Sequence, residues 1–524
     1  MVINKFSQRY FLLIIIFCVL SAPAIVILGQ GIFSTQSQLE QEYLINLLPQ
    51  LIINTLKLLF WVLTFSTFWS FTISLSCSLT NLKYKSLVKR LIFIPLTLPL
   101  YVSSFIYLSI SDYSSPISVI LRENFNVNFD QLTQSAGPLW IGFVFSLYLS
   151  PYMTMALIKS IDNVGVGQWP IAKTLGLTSK QVIKKILIPN IIPWYFASAM
   201  IIIMEVLSDF GGVSAFNYDT LSTAIYTAWT GLFSYNLAVK ISMILILISI
   251  LLFGIEGKIK KGKKFTTNNT RRYMSHPPIH LSNSQQFFLH IPILIYFLLS
   301  LALPSFLLLK WSTNLNQKII IDVLNLLKDT VILGFVLALL TTGISFIYSY
   351  LSKRKLQLIK SIELMGYSLP GTIVAVCFIG IISIINNYTN FKVSIANIIF
   401  LSLALIYRHL FVGERNWSSS FTKINSATEN TAKVLGLGLI QRFKLTYLPI
   451  WKENYLPITT LLFIEIIKEL PITLMLRPFG LNTLSIKIYE LTTEGYWEEA
   501  GIYSLALMIL GLPLSYYAFN RRKS

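Results

Sequence analysis

A helix crosses a bilayer on roughly 20 predominantly apolar residues. This chain offers twelve such runs, beginning near Tyr10, Leu51, Leu91, Gly137, Ile191, Asn236, Phe287, Val331, Ile362, Ala396, Asn454 and Ala500. No aqueous globule absorbs that pattern. Charged residues make up 12% of the 524 positions, against about 25% in a soluble domain, so lipid must solvate the chain. The expected fold class is an all-α membrane protein of twelve transmembrane helices. The first run follows Lys5 and Arg9 but continues to Gly29 without a polar cleavage region, and reads as a retained span and not a signal peptide. Three cysteines, Cys18, Cys77 and Cys377, sit in apolar runs without paired spacing. They suggest neither a disulfide framework nor a zinc site, and no metal ligand set is assigned.

The net charge of +20 would suggest nucleic acid in a soluble protein; here it sorts the faces of a membrane. With the N-terminus inside, 32 of the 42 Lys and Arg fall in inner segments and seven in outer loops. That is the positive-inside pattern. It implies an inner-membrane, multi-pass protein with both termini cytoplasmic, and no nucleic-acid partner.

The chain also repeats itself. Gly176 and Pro189 recur as Gly436 and Pro449, each 260 residues later, and at the same offset Glu205 meets Glu465 and Asp209 meets Glu469. Farther on, Asp219-Thr-Leu-Ser-Thr-Ala-Ile-Tyr226 matches Asn482-Thr-Leu-Ser-Ile-Lys-Ile-Tyr489, and upstream Asn54-Thr-Leu matches Asp329-Thr-Val. Six spans therefore repeat as six, in the same orientation, about a pseudo-two-fold axis along the membrane normal. Residues 1–256 form the first half (core 51–256) and 287–524 the second (core 326–519). Residues 257–286, rich in Lys, Asn, Ser and Thr, form a cytoplasmic linker. Its Gly257-Lys-Ile-Lys-Lys-Gly-Lys-Lys264 is one residue short of a phosphate-binding loop, with no Ser or Thr for magnesium and no preceding strand. The chain thus has no nucleotide cradle of its own.

Between the fourth and fifth spans of each half lies a long loop of one plan. Pro170-Ile-Ala-Lys-Thr-Leu-Gly176 is followed after nine residues by Ile186-Leu-Ile-Pro189; Asn430-Thr-Ala-Lys-Val-Leu-Gly436 is followed likewise by Thr446-Tyr-Leu-Pro449. Apolar spacing predicts two short amphipathic helices per loop, with the Gly making the turn and the Pro opening the next span. This plan resembles the EAA loop of ABC-importer permeases. Ala172, Gly176, Pro189, Ala432, Gly436 and Pro449 match it, while the family's Glu falls on Pro170 and Asn430. Ile94-Pro-Leu-Thr-Leu-Pro-Leu-Tyr-Val102, Ser208-Asp-Phe-Gly211, Ser368-Leu-Pro-Gly-Thr372 and Lys468-Glu-Leu-Pro-Ile-Thr-Leu-Met-Leu-Arg-Pro-Phe-Gly480 resemble the fused, two-domain ferric-iron permeases.

The resemblance implies two tandem six-helix importer domains, loops that dock on two copies of an ABC ATPase subunit, and iron(III) delivered by a periplasmic binding protein. ATP would be used by that separate subunit; this chain would bind no cofactor and catalyse no reaction. Thiamine and phosphonate permeases share the architecture, and an ion-coupled secondary transporter is the remaining alternative. Independently of any family, ionisable residues inside spans are costly and are functional candidates. Glu205 and Asp209 are spaced i, i+4, as are Glu465 and Glu469, predicting four carboxylates on two equivalent helix faces. Oxygen ligands suit a hard cation, so these acids are the candidate translocation path, with pairing to Lys240 or Lys468 as the structural alternative.

Overall fold

In lipid every backbone N–H and C=O must find its partner within the protein, which leaves helices or closed barrels. The computed structural model describes residues 25–27, 29–32, 37–260, 279, 281–313, 317–352, 369–389, 394–395, 397–421, 434–435, 438, 441 and 443–520. Among them the chain is all-helical, with one isolated bridge between Thr80 and Ile279. The principal helices of the first half are α1 (Leu48–Leu79), α2 (Leu100–Ser111), α3 (Pro138–Thr174), α4 (Ile188–Ser208), α5 (Leu221–Thr230) and α6 (Tyr235–Lys260). After α7 (Asn283–Trp311) come α8 (Gln317–Ser352), α9 (Gly371–Tyr388), α10 (Ile398–Phe421), α11 (Leu448–Ile467), α12 (Leu484–Thr493) and α13 (Trp497–Asn520).

Seven described helices are long and apolar enough to cross a membrane, and a bent pair brings the number to eight. The protein is an all-α, multi-pass membrane protein, but the described residues do not supply the expected twelve. The run near Tyr10 falls largely outside them, as does the start of the run near Ile362. Helices α10, α11 and α13 stand where three further runs were expected. In α10 Arg408, Glu414 and Arg415, and in α11 Lys452, Glu453 and Glu465, dilute the apolar stretch. The run near Leu91 is not one straight helix. Pro95 lies in a 3-10 turn, Ile94–Thr97, and Pro99 caps α2, so the chain bends by 90°, as prolines that break the helical ladder require.

Small side chains decide which helices sit at the centre. Ser66, Ser70 and Ser74 of α1 and Ser146, Ser150 and Thr154 of α3 are all fully buried at four-residue spacing, and Ser70 Oγ donates to Ser150 O at 3.0 Å. A Cβ on Gly142 would come within 2.6 Å of Trp61 Cβ. Close backbone approach through small residues is how helices associate without a hydrophobic driving force. The second half repeats the device, with Gly413 of α10 against Ser345 of α8 and Trp417 Nε1 donating to Thr342 O at 3.2 Å. By contrast α7 is peripheral: 28% of its most apolar stretch is buried, against 72% for α3.

Equivalent contacts recur at the offsets read from the sequence. Leu221 N donates to Thr55 Oγ1 at 3.1 Å, and Leu484 N to Thr330 Oγ1 at 2.9 Å. A π turn, Ile183–Leu187, feeds α4, and its counterpart 260 residues on, Phe443–Tyr447, feeds α11. Pro189 and Pro449 each lie in the first turn of the helix that follows, where a missing N–H is cheap. The expected linker is ordered at both edges. Helix α6 runs to Lys260, and Asn81 exchanges hydrogen bonds with Leu281 across the bridge at Ile279; 261–278 lies outside the described residues.

Candidate functional site: a carboxylate cavity between the halves

The four predicted acids do converge. Glu205, Asp209, Glu465 and Glu469 line one cavity of about 130 Å³, together with Tyr148, Leu149, Ser208, Arg408, His409 and Lys468. They do not share helix faces as expected. Helix α4 ends at Ser208, and Asp209 is its extended C-cap (ψ 126°); α11 ends at Ile467, leaving Glu469 beyond the cap. The chain turns there because each acid is needed by the next short helix. Asp209 Oδ2 accepts from Val213 N at 3.2 Å, and Glu469 Oε1 from Ile472 N at 3.4 Å. Each half thus presents one acid from the last turn of a span and one from the break that follows.

The basic groups are not repeated. At the offset of 260, Arg408 falls on Tyr148, His409 on Leu149 and Lys468 on Ser208, so all three come from the second half. Arg408 uses its fork fully: Nε lies 3.2 Å from Glu469 Oε2, Nη2 donates to Ser208 Oγ at 2.6 Å, and Nη1 to Leu369 O at 3.2 Å. Ser208 Oγ in turn accepts from Gly371 N at 3.1 Å. Gly371 is required by proximity, since a Cβ there would lie 2.6 Å from Glu469 Oε1 and 3.1 Å from Arg408 Nη1. Lys468 Nζ reaches Glu465 Oε1 at 3.4 Å and Leu96 O, in the first half, at 3.3 Å. Part of the structural alternative therefore holds: Lys468 pairs with Glu465, whereas Lys240 pairs with none of the four acids among the described residues.

The Glu205 carboxylate has no hydrogen bond or ion pair among the described residues, and His409 Nε2 is buried without a partner. No three His, Cys, Asp or Glu side chains among them stand close enough to share one metal ion. Sequence alone does not single out Arg408, because the charge count places it in a cytoplasmic segment. The signal was there: an Arg-His pair within an apolar run, at the depth where Tyr148 falls in the other half. Arg477, within the Lys468–Gly480 stretch, pairs with Glu490 at 2.7 Å.

The first long loop folds more economically than expected. Its leading part continues α3, and its trailing part, Ser179–Val182, runs through the π turn into α4. The leading piece is not a separate helix, because α3 runs on through Pro170 to Thr174 and the chain turns only at Gly176. There φ is +78°, Gly176 N donates to Lys173 O at 3.0 Å and Leu177 N to Ala172 O at 3.1 Å. These are the paired bonds of a Schellman turn, which favours Gly. Thr178 and Gln181 then cap the next helix reciprocally. Ala172 is buried, while Ile171 and Leu175 project outward at 61% and 75% exposure. In the second loop Ala432 and Gly436 lie outside the described residues; Pro449 is described and exposed at the head of α11.

No family model matches the chain, and no solved structure matches it. Among curated proteins it is 24% identical over 493 residues to the Fe(3+)-transport system permease protein FbpB 2 of Haemophilus influenzae, an alignment covering 90% of this chain and 91% of that one. The resemblance carried by the loop and turn motifs thus extends over nine-tenths of both sequences, and the chain is similar throughout to a ferric-iron transport permease.

Proposed function

We propose that the chain is the membrane-spanning permease of an ATP-driven ABC importer that carries iron(III) across the inner membrane. The observation that carries this reading is the near end-to-end similarity to a ferric-iron permease of matching length. It is supported by a seam cavity holding four carboxylates, hard oxygen donors suited to a highly charged cation. Twelve spans in two six-helix halves, 1–256 and 287–524 joined by 257–286, account for the recurring contacts. Both termini are then cytoplasmic. Two copies of a separate ATPase subunit dock on the loops around Gly176 and Gly436, where exposed Ile171 and Leu175 offer an apolar foothold. A periplasmic binding protein delivers the ion. The chain binds no cofactor and is not itself an enzyme; ATP is consumed by the partner.

A phosphonate carrier of the same architecture is the second reading, favoured by Arg408 and Lys468 in the cavity. Both cations are already engaged by Glu469 and Glu465, which leaves free carboxylate and not free cation for a solute. Uptake of radiolabelled iron, phosphonate and thiamine in cells lacking the gene, with and without its restoration, separates these cargoes. Restored iron uptake is expected, and restoration of only another solute would refute the iron reading. The loop reading has its own test, crosslinking from cysteines at Leu177 and Leu437 to a co-expressed ATPase subunit; absence of any crosslink at both would favour an ion-coupled transporter.

A further inference from the structure

The cavity is symmetric in its acids and asymmetric in its bases, and that asymmetry bears on how it is held shut. Ser208 belongs to the first half; Arg408, Glu469, Leu369 and Gly371 belong to the second. One guanidinium joins the end of α4, the break after α11 and the residue ahead of the α9 cap. Its three acceptors use Nε, Nη1 and Nη2 at once, a geometry that a planar fork meets and an ammonium cannot. Arg408 and Glu469 are well buried, with side chains 16% and 7% exposed, so the pair is shielded from the screening that makes surface pairs negligible. A cation passing along the carboxylates meets Glu469 already occupied.

We propose that Arg408 is a tethered counter-cation that locks the seam between the halves, holding Glu469 to Ser208 until the lock is released for passage. This deepens the transport reading by naming what the second-half carboxylate holds at rest, and rests on it only for the identity of the cargo. On this view the first-half acids, with Glu205 unpaired, are the ones open to an arriving cation. The second-half acids become available when Arg408 and Lys468 let go.

The test uses the full chain in membrane vesicles, with Cys18, Cys77 and Cys377 replaced by Ala. Two reporter cysteines are introduced singly. Leu149→Cys is buried and lines the cavity; Ser66→Cys is buried between α1 and α3. Labelling by a small methanethiosulfonate is followed in Arg408→Gln, Arg408→Lys and Glu469→Gln backgrounds. Releasing the lock should speed labelling at Leu149→Cys about tenfold, the effect of losing one charge-assisted contact, with Ser66→Cys unchanged. Arg408→Lys should fall between, since it keeps the charge and loses the fork. Glu469→Gln removes the same pair from the other side, so the test survives if Arg408→Gln does not accumulate. Unchanged labelling at Leu149→Cys, or equal acceleration at both reporters, would overturn the proposal, the latter because it marks general loosening. The assay needs neither iron nor ATPase, so its failure and a failure of iron uptake are separate results.

Discussion

Individual side chains in the cavity are not interchangeable, although the duplication pairs them. Among the described residues Glu205 makes no hydrogen bond or ion pair, whereas Glu465 is held by Lys468 at 3.4 Å. Glu205→Gln keeps shape and removes charge, so the protein should insert normally while iron uptake falls about tenfold, the equivalent of roughly 1.4 kcal/mol of lost charge interaction. Glu465→Gln should cost at least as much uptake, because it leaves the Lys468 ammonium uncompensated beside an arriving cation, and the double variant should be worse than either. Uptake at parental levels in both single variants, at equal protein abundance, would make the acids structural. Gly371→Ala probes the same site without touching charge. The added methyl must displace Glu469 or Arg408, and overpacking of this kind costs about 1–3 kcal/mol, so a drop in the thermal midpoint of purified protein is expected where Ala would otherwise be harmless.

Among the elements, the loop after α3 depends on one backbone conformation. Nothing lies within 4 Å of a Cβ built at Gly176, so any penalty for substitution comes from φ alone. Gly176→Val should strain the turn by roughly 1–2 kcal/mol, lowering iron uptake and ATPase crosslinking from Leu177 while leaving membrane insertion intact. Gly176→Asn, which tolerates the left-handed region, should behave almost like the parent. Equal loss from both substitutions would show that the loop senses side-chain bulk and not backbone freedom. The sequence pattern revealed the turn and the proline because both are local. It mistook the leading helix for a separate piece, because apolar spacing marks an amphipathic stretch but not where one helical ladder runs on into it.

At the scale of the whole molecule, the halves are joined through side chains and not through the linker alone. Besides Arg408 and Lys468, Tyr107 OH donates to Leu299 O at 2.7 Å, and Phe210 packs on Tyr489 with ring centroids 5.4 Å apart. Segments 1–268 and 269–524, expressed as separate chains, should therefore co-purify and restore iron uptake. Failure to associate would mean that the covalent link holds the halves in register. Within each half the small-residue seams set the packing. Gly142→Leu, forced against Trp61, should deplete folded protein from the membrane by at least as much as any cavity substitution.

What the sequence determined by itself was the solvent, the helical class, the repeat and the four acids, since each is written in local composition or in a fixed offset along the chain. Lipid leaves a backbone few choices, so apolar run length carries most of the architecture. Tertiary structure decided the rest. Whether Asp209 shares a helix face with Glu205 depends on where α4 stops, and it stops where the next short helix needs a cap. Whether Arg408 is a topological charge or the partner of Glu469 depends on a contact 61 residues apart in sequence. Spacing rules cannot reach it, because the energy of a buried ion pair is set by three-dimensional geometry and desolvation and leaves no periodic trace in the chain.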